Sequence, residues 1–280
     1  MNTQEFIIAA LAEDIGSGDH STLASIDAKV VGTAKLIVKE ACIIAGIRIA
    51  KEVFLHLDKE AVFTAFHTDG EYLEVGTIAF TVKAKAQAIL QAERLVLNTM
   101  QRMSGIATLT HSYMEKIKNY STTILDTRKT TPLFRAFEKE AVLLGGAKNH
   151  RMGLYDMIML KDNHIDYCGG IEKAIAAANN YLKEQQLQLP IEVETRSLDD
   201  VKRVVKVGGV QRIMLDNFTP QEIEAALVLI NKQFETEASG GINFDTIEAY
   251  AATGVDFISV GAVIHHATSL DLSLKAVLHE

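Results

Sequence analysis

Asp126-Thr127-Arg128-Lys129-Thr130 follows directly on an apolar run that ends at Leu125, and it carries one acid, two bases and two hydroxyls. A surface turn favours Gly, Asn or Pro, and a core tolerates no such charges unpaired. Five further apolar runs end in the same manner. They deliver Lys161-Asp162-Asn163-His164, Glu192 with Glu194, Asp216-Asn217, Ser239-Gly240-Gly241, and Gly261. As parallel strands of a strand–helix barrel, the six runs would bring these groups to one face, the face where such barrels carry their chemistry. Any single one could be a polar strand end meeting solvent; six together point to a site.

The chemistry is that of an anion. Between Asp126 and His164 stand seven Lys/Arg against five Asp/Glu, a net +2 inside a chain of net charge −8. A basic pocket in an acidic chain suits a small anionic ligand held by charge-assisted, bidentate contacts. Arg135 and Lys139 read instead as ordinary solvated helix residues. Gly240-Gly241 follows a strand and is expected to open a helix, so that free N–H groups and the helix dipole form a phosphate cradle. Its place in the next-to-last strand–helix unit, with Gly261 in the unit after it, is the usual phosphate position of a barrel. Glu194 and Asp216 fit Mg²⁺, which takes one or two carboxylates plus substrate phosphates; salt bridges to the basic pocket are their other reading. No His/Cys cluster suggests zinc, and no G-x-S-x-G elbow suggests a serine hydrolase.

The elements that must position these groups alternate from about residue 120 onward. STTILD, DMIMLK, PIEVET, RIMLDN, FETEAS and DFISVG read as strands, separated by amphipathic stretches. In SLDDVKRVVKVGG, Ser197 caps a helix whose apolar face is Leu198, Val201, Val204 and Val205, and Gly208-Gly209 ends it. Six such units imply an incomplete barrel of parallel strands. The first hundred residues read as α+β: a short helix, the loop GSGDHST, then strands across GTAKLIVKEACIIAGIRIA, EAVFTAFH and TIAFTVKA, with a turn at Asp69-Gly70. A long helix over about 84–103 ends before Ser104-Gly105. The domains expected are 1–104 and 105–267, with a helix over about 268–280 returning to the first; no segment reads as a flexible linker.

Composition narrows the partners. The 280 residues are 48% hydrophobic and 23% charged, enough for a large core, and the pI near 5.6 argues against nucleic acid and anionic membranes. Cys42 and Cys168 have no paired-ligand spacing, which suits a reducing cytoplasm. MNTQEFIIAALAEDIG has no basic n-region, and no apolar run reaches spanning length.

In this order the motifs LAEDIGSGDHST, ERLVLNTMQRMSGIAT, DTRKTTP, EKEAVLLGGAKNHRMGLYDMIMLKDNHI, IEVET, IMLDNF, EASGGI and TGVDFISVGA resemble quinolinate phosphoribosyltransferases over nearly the whole chain. The resemblance implies an N-terminal α/β sandwich joined to an open six-stranded α/β barrel, assembled as a homodimer or hexamer with shared active sites. It implies a reaction of quinolinate with phosphoribosyl pyrophosphate and Mg²⁺, yielding nicotinate mononucleotide, pyrophosphate and CO₂. By matching motif, Arg94, Arg128, Arg151 and Lys161 would hold the quinolinate carboxylates. Lys129, His150, Glu194 and Asp216 would face phosphoribosyl pyrophosphate and its Mg²⁺, the two carboxylates holding the ion directly or through water. Ser239, Gly240, Gly241, Gly261 and His265 would surround the phosphate, and Lys129, Lys161, Glu194 and Asp216 would be catalytic. Leu133 and Ala147-Lys148 depart from the family's usual loop residues. Two other readings are a Schiff-base aldolase or decarboxylase acting through Lys161, and a non-catalytic anion-binding relative linked to molybdenum transport.

Overall fold

The computed structural model describes residues 2–277, which fall into two compact units. The first comprises Met1–His111, Thr130–Gly146 and His266–Glu280; the second comprises Ser112–Lys129 and Ala147–His265.

In the first unit, helices α1 (Thr3–Ile15) and α2 (His20–Ser25) precede β1 (Val31–Val38) and β2 (Cys42–Ile43). Then come α3 (Ile47–Leu57), β3 (Val62–Ala65), β4 (Tyr72–Leu73), β5 (Ile78–Lys85) and the long α4 (Ala86–Lys116), whose end from Ser112 belongs to the second unit. The antiparallel sheet has the order β12-β1-β5-β3, where β12 is Leu272–Ala276, and β2 pairs with β4. Alternation decides the buried face of β1: Ala34, Leu36 and Val38 are buried. Helix α3 packs on β3 and β5 through Phe54, whose ring lies 6.2 Å from that of Phe80.

Four expectations fail here, each for a physical reason. His20–Ser25 of the GSGDHST region is helix, because the Asp19 carboxylate accepts the Thr22 N–H at 3.1 Å and caps it. Ile47–Ala50 begins α3 and does not extend a strand. Its N-cap Gly46 has no side chain, and Asp69 from the Asp69-Gly70 turn caps it instead, accepting the N–H groups of Ile47 at 2.8 Å and Arg48 at 3.2 Å. Helix α4 runs straight through Ser104-Gly105: Ser104 Oγ accepts the Ala45 N–H at 3.0 Å, and a Cβ on Gly105 would run into the Thr268 carbonyl. The pair marks close packing rather than an end. Finally, Leu272–Ala276 is a strand, because Leu272 and Leu274 are buried at period two while β1 lends its edge; the last three positions of the expected C-terminal helix lie outside the described residues.

The second unit holds β6 (Thr123–Leu125), β7 (Ile158–Leu160), β8 (Ile191–Thr195), β9 (Arg212–Asp216), β10 (Glu235–Ser239) and β11 (Phe257–Ser259); α5 (Arg135–Leu144) lies in the first. Helices α6 (Asp162–Cys168), α7 (Ile171–Gln185), α8 (Leu198–Val207), α9 (Pro220–Ile230), α10 (Ile247–Ala251) and α11 (Ala262–His265) connect them. All strand pairings are parallel, in the order β6-β11-β10-β9-β8-β7, so the opening of the six-stranded barrel lies between β6 and β7. Beside β6 that opening is partly filled by Lys148, bridged to Leu125. Helix α8 is as its sequence predicts, with Ser197 accepting the Asp200 N–H and Val201 and Val204 buried.

Candidate active site

Because the six strands are parallel, their C-terminal ends lie together, and the polar tails come with them. After β6, Asp126 is fully buried and its Oδ1 accepts the His150 N–H at 2.8 Å. That bond ties the DTRK segment to the Asn149-His150-Arg151 segment. Arg128 and Arg151 are thereby neighbours: burial, and then the Arg128 charge, hold the Arg151 guanidinium below its ordinary pKa. Among the described residues neither is in an ion pair with a carboxylate. Asp156 and Glu192 act on Arg151 only at longer range, so the two guanidiniums face each other without a direct carboxylate contact.

Lys161 ends β7 and precedes α6; its Nζ lies 3.3 Å from Glu194 Oε2, and Glu194 Oε1 accepts the Asp162 N–H at 3.4 Å. Asp216, at the end of β9, accepts from Asn217 Nδ2 at 2.6 Å. Glu194 thus makes the salt bridge to the basic pocket that its sequence allows. The donor chemistry fits Mg²⁺, since both groups are carboxylates at the ends of neighbouring strands.

The phosphate region is built by backbone shape. Gly240 and Gly241 have φ of +96° and +65°. A Cβ on Gly240 would collide with the Asn217 side chain, and one on Gly241 would point into open space. Ser239 lies beside Asp216 in register, and its carbonyl accepts the Asn217 N–H at 2.8 Å. A Cβ on Gly261 would stand 3.0 Å from His265 Nε2 and 3.2 Å from Lys129 Cδ, so this glycine lets the two bases approach each other. The expected helix after Gly240-Gly241 is displaced: α10 starts only at Ile247 and has five residues. Left-handed glycine backbone, and not a helix N-terminus, shapes this loop.

His150 is placed differently from expectation. Its side chain is 6% exposed and points into the barrel, with Nε2 at 3.0 Å from Glu192 Oε2 and 3.4 Å from Glu237 Oε2, both carboxylates fully buried. Arg212 Nη1 reaches Glu237 Oε2 at 2.8 Å, and its guanidinium lies 4.1 Å over the Phe257 ring. Burial first, then the neighbouring charge of Glu237, pushes Glu192 up to about 7. Burial also works against the charge on Glu237, but His150 and Arg212 outweigh it and hold this carboxyl below its ordinary range. Burial disfavours an imidazolium, while hydrogen bonds to Glu192 and Glu237 favour it more and would lift His150 to about 9. Nδ1, however, accepts the Arg151 N–H at 2.7 Å and carries no proton while it does. While that backbone bond is made the ring is neutral, and its proton is on Nε2, toward the carboxylates.

Sequence reasoning passed over Glu237 and Arg212. The available signal was a Glu in the middle of a buried strand, which demands a partner. It also misjudged Lys139, which is fully buried in α5, and Arg135, which is half-buried with Nε donating to Thr130 Oγ1 at 2.9 Å. In the same unit, Glu138 is fully buried; it accepts from Arg102 Nη2 at 2.8 Å and from the Thr131 N–H at 2.7 Å.

Arg94 belongs to the first unit, where it is exposed beside a cavity of about 460 Å³ lined also by Glu13, Asp14, Asn98 and Arg102. The polar stripe of its helix divides: Gln87 donates to the Ile26 carbonyl and Gln101 to that of Leu272, while Arg94 and Asn98 face outward. In the second unit a larger cavity, about 1360 Å³, opens at the N-terminal strand ends, bordered by Arg212, Glu235 and Asp256. It lies at the end of the barrel away from the strand-end bases.

The chain matches the C-terminal domain of quinolinate phosphoribosyl transferase over residues 106–275 and the N-terminal domain over 19–104. It is 43% identical to the chloroplastic nicotinate-nucleotide pyrophosphorylase [carboxylating] of Oryza sativa subsp. japonica, covering 95% of this chain and 75% of the relative. It is also 43% identical to quinolinate phosphoribosyltransferase [decarboxylating] 1b of Nicotiana tabacum, covering 95% and 80%. The crystal structure of NadC from Streptococcus pyogenes superposes with a TM-score of 0.92 at 39% identity, covering 97% of this chain and 95% of that one. With both domains matched in order along one chain, and the strand-end bases gathered as described, the protein belongs to the quinolinate phosphoribosyltransferase family.

Proposed function

We propose that this chain joins quinolinate to phosphoribosyl pyrophosphate, releasing pyrophosphate, CO₂ and nicotinate mononucleotide, a step of NAD biosynthesis. The observation that supports the substrate assignment is the adjacent pair Arg128 and Arg151, with Lys161 at the next strand end. Quinolinate presents two carboxylates on neighbouring ring carbons, and bidentate guanidinium contacts suit them. In this reading Lys129, His265, Ser239 and the Gly240-Gly241 and Gly261 backbone receive the phosphoribosyl pyrophosphate. Glu194 and Asp216 would hold Mg²⁺, which when bound neutralises the departing pyrophosphate.

The ring nitrogen attacks the anomeric carbon as its bond to pyrophosphate breaks, and Lys129 stabilises the charge of the leaving anion. The product is a pyridinium. The C2–carboxylate bond then breaks, its electron pair passes to C2 under the pull of the cationic nitrogen, and a proton from solvent replaces CO₂. Protein groups need only hold two polyanions together against their repulsion, which accounts for the density of bases. Lys161 paired with Glu194 serves that task as a cation; a Schiff-base lysine must shed its charge. The active unit we infer is a homodimer or a larger assembly, with Arg94 of one copy completing the pocket of another. Free Cys42 and Cys168 suit a reducing compartment such as the cytoplasm.

The test is quinolinate-dependent release of pyrophosphate and CO₂, with calorimetry on Arg128→Ala and Arg151→Ala. Each variant should keep its fold and bind quinolinate about 10- to 100-fold more weakly, the scale of a lost charged hydrogen bond. Unchanged affinity in both variants would remove the dicarboxylate clamp.

A further inference from the structure

We propose that Glu237, Glu192 and Arg212 are positioning residues for the dicarboxylate pocket, and that they hold Arg151 in place through the His150 ring. The inference rests on the assignment of Arg151 to quinolinate. His150 anchors the segment by two hydrogen bonds, its N–H on Asp126 Oδ1 and Nδ1 on the Arg151 N–H, and its Nε2 faces the carboxylates of Glu192 and Glu237 at 3.0 Å and 3.4 Å. Arg151 itself has little else to hold it. Its guanidinium makes one long bond, Nη1 to the Met157 carbonyl at 3.3 Å, and Arg128 pushes it away. Its position is therefore set by its backbone, and its backbone by the ring.

Buried charges are a poor way to stabilise a barrel, since apolar side chains of similar volume do as well or better. What this set does deliver is direction. The contacts run from Arg212, at the first residue of β9, through Glu237 to the ring and out to Arg151. The ligand-type atoms of His150, Glu192 and Glu237 lie within 4.8 Å of one another, close enough for a metal ion. Yet Arg212 already neutralises Glu237 at 2.8 Å, and a divalent ion would sit beside that guanidinium.

The experiment compares Glu237→Leu, Glu237→Gln and Arg212→Met with Arg151→Ala, in steady-state kinetics and in quinolinate calorimetry on the whole enzyme. A clamp that acts equally in ground and transition states shows in KM and not in kcat. Glu237→Leu and Arg212→Met should therefore raise the KM for quinolinate by about 10- to 100-fold, the cost of a misplaced binding group. The KM for phosphoribosyl pyrophosphate and kcat should stay within about two-fold. Glu237→Gln, whose amide oxygen can face Nε2–H, should restore most of the loss; Arg212→Met decides the matter if Glu237→Leu fails to fold. Normal quinolinate affinity in Glu237→Leu and Arg212→Met, beside a crippled Arg151→Ala, overturns the positioning role. Normal affinity in Arg151→Ala overturns the clamp assignment itself. A rise in melting temperature on adding Mn²⁺ or Zn²⁺ to wild type, absent in Glu237→Gln, would make the cluster a metal site and also overturn the proposal.

Discussion

Glu194 has two partners to choose between, and its chemistry turns on the choice. It lies 3.3 Å from the Lys161 ammonium, and under the proposed function it would also be a ligand of Mg²⁺. Turnover should accordingly require Mg²⁺, and Glu194→Gln or Asp216→Asn should raise the Mg²⁺ concentration for half-maximal rate by about 10-fold, since one charged ligand of few is lost. Full wild-type turnover in excess chelator would rule this out. At this scale the sequence is most readable where charge stands at a strand end, as in DTRK and KDNH, because the pattern repeats from strand to strand. It is least readable inside a strand. Glu235 and Glu237 lie on the same side of β10, yet one is exposed and the other fully buried. Nothing in FETEAS separates them: Arg212 reaches both, at 2.9 Å and 2.8 Å, and only Glu237 also faces His150 from a distant segment.

Elements were legible wherever a periodic pattern had its own cap, as in α8 and the six barrel strands. They were misread wherever the deciding partner came from elsewhere. Ser104-Gly105 looks like a helix stop until the Thr268 carbonyl occupies the space a Cβ would need. Gly105→Ala should therefore lose about 1–3 kcal/mol through overpacking, although Ala is the better helix former. Thermal melting checks this, and an unchanged or raised Tm would refute it. The Asp69-Gly70 turn carries a second such element. Asp69→Ala should cost about 1 kcal/mol by uncapping α3, read as a lower denaturation midpoint. Two residues on, Glu71 accepts from Thr68 Oγ1 at 2.7 Å and from the Thr68 N–H at 3.0 Å, and it pairs with His67 at 2.8 Å. The Thr68 hydroxyl and then His67 bring its pKa down from 4.5 to about 2. A depressed folded-state pKa means stability present above 4.5 and lost as pH falls through 2. Glu71→Gln should melt below wild type at neutral pH, and the gap should close as pH falls from 4.5 toward 2; a gap independent of pH would show that the carboxylate's charge is irrelevant to the turn.

At the scale of the whole molecule the question is why Arg94 is exposed. It stands on α4 of the first unit, and none of its i±3 or i±4 neighbours (Leu90, Gln91, Leu97, Asn98) is acidic, so no intrahelical pair holds it. Gln87 and Gln101 on the same stripe are committed to carbonyls of their own unit, whereas Arg94 and Asn98 face outward beside a cavity. A solvated helix face is the bland account. Membership of the family adds another: an exposed base on the N-terminal domain can serve a dicarboxylate pocket in a second copy, and a two-fold interface makes the service reciprocal. Mixing separates the two accounts. Arg94→Ala and Lys161→Ala are each expected to be inactive. After the two are dissociated together and reassembled, a mixed dimer collects both defects in one site and neither in the other. Random assortment should then return roughly a quarter of wild-type activity, because half the dimers are mixed and each has one intact site. Recovery near that value, with mixed dimers verified by mass, places Arg94 in its neighbour's pocket. Verified mixed dimers without recovery would confine Arg94 to its own subunit or remove it from catalysis.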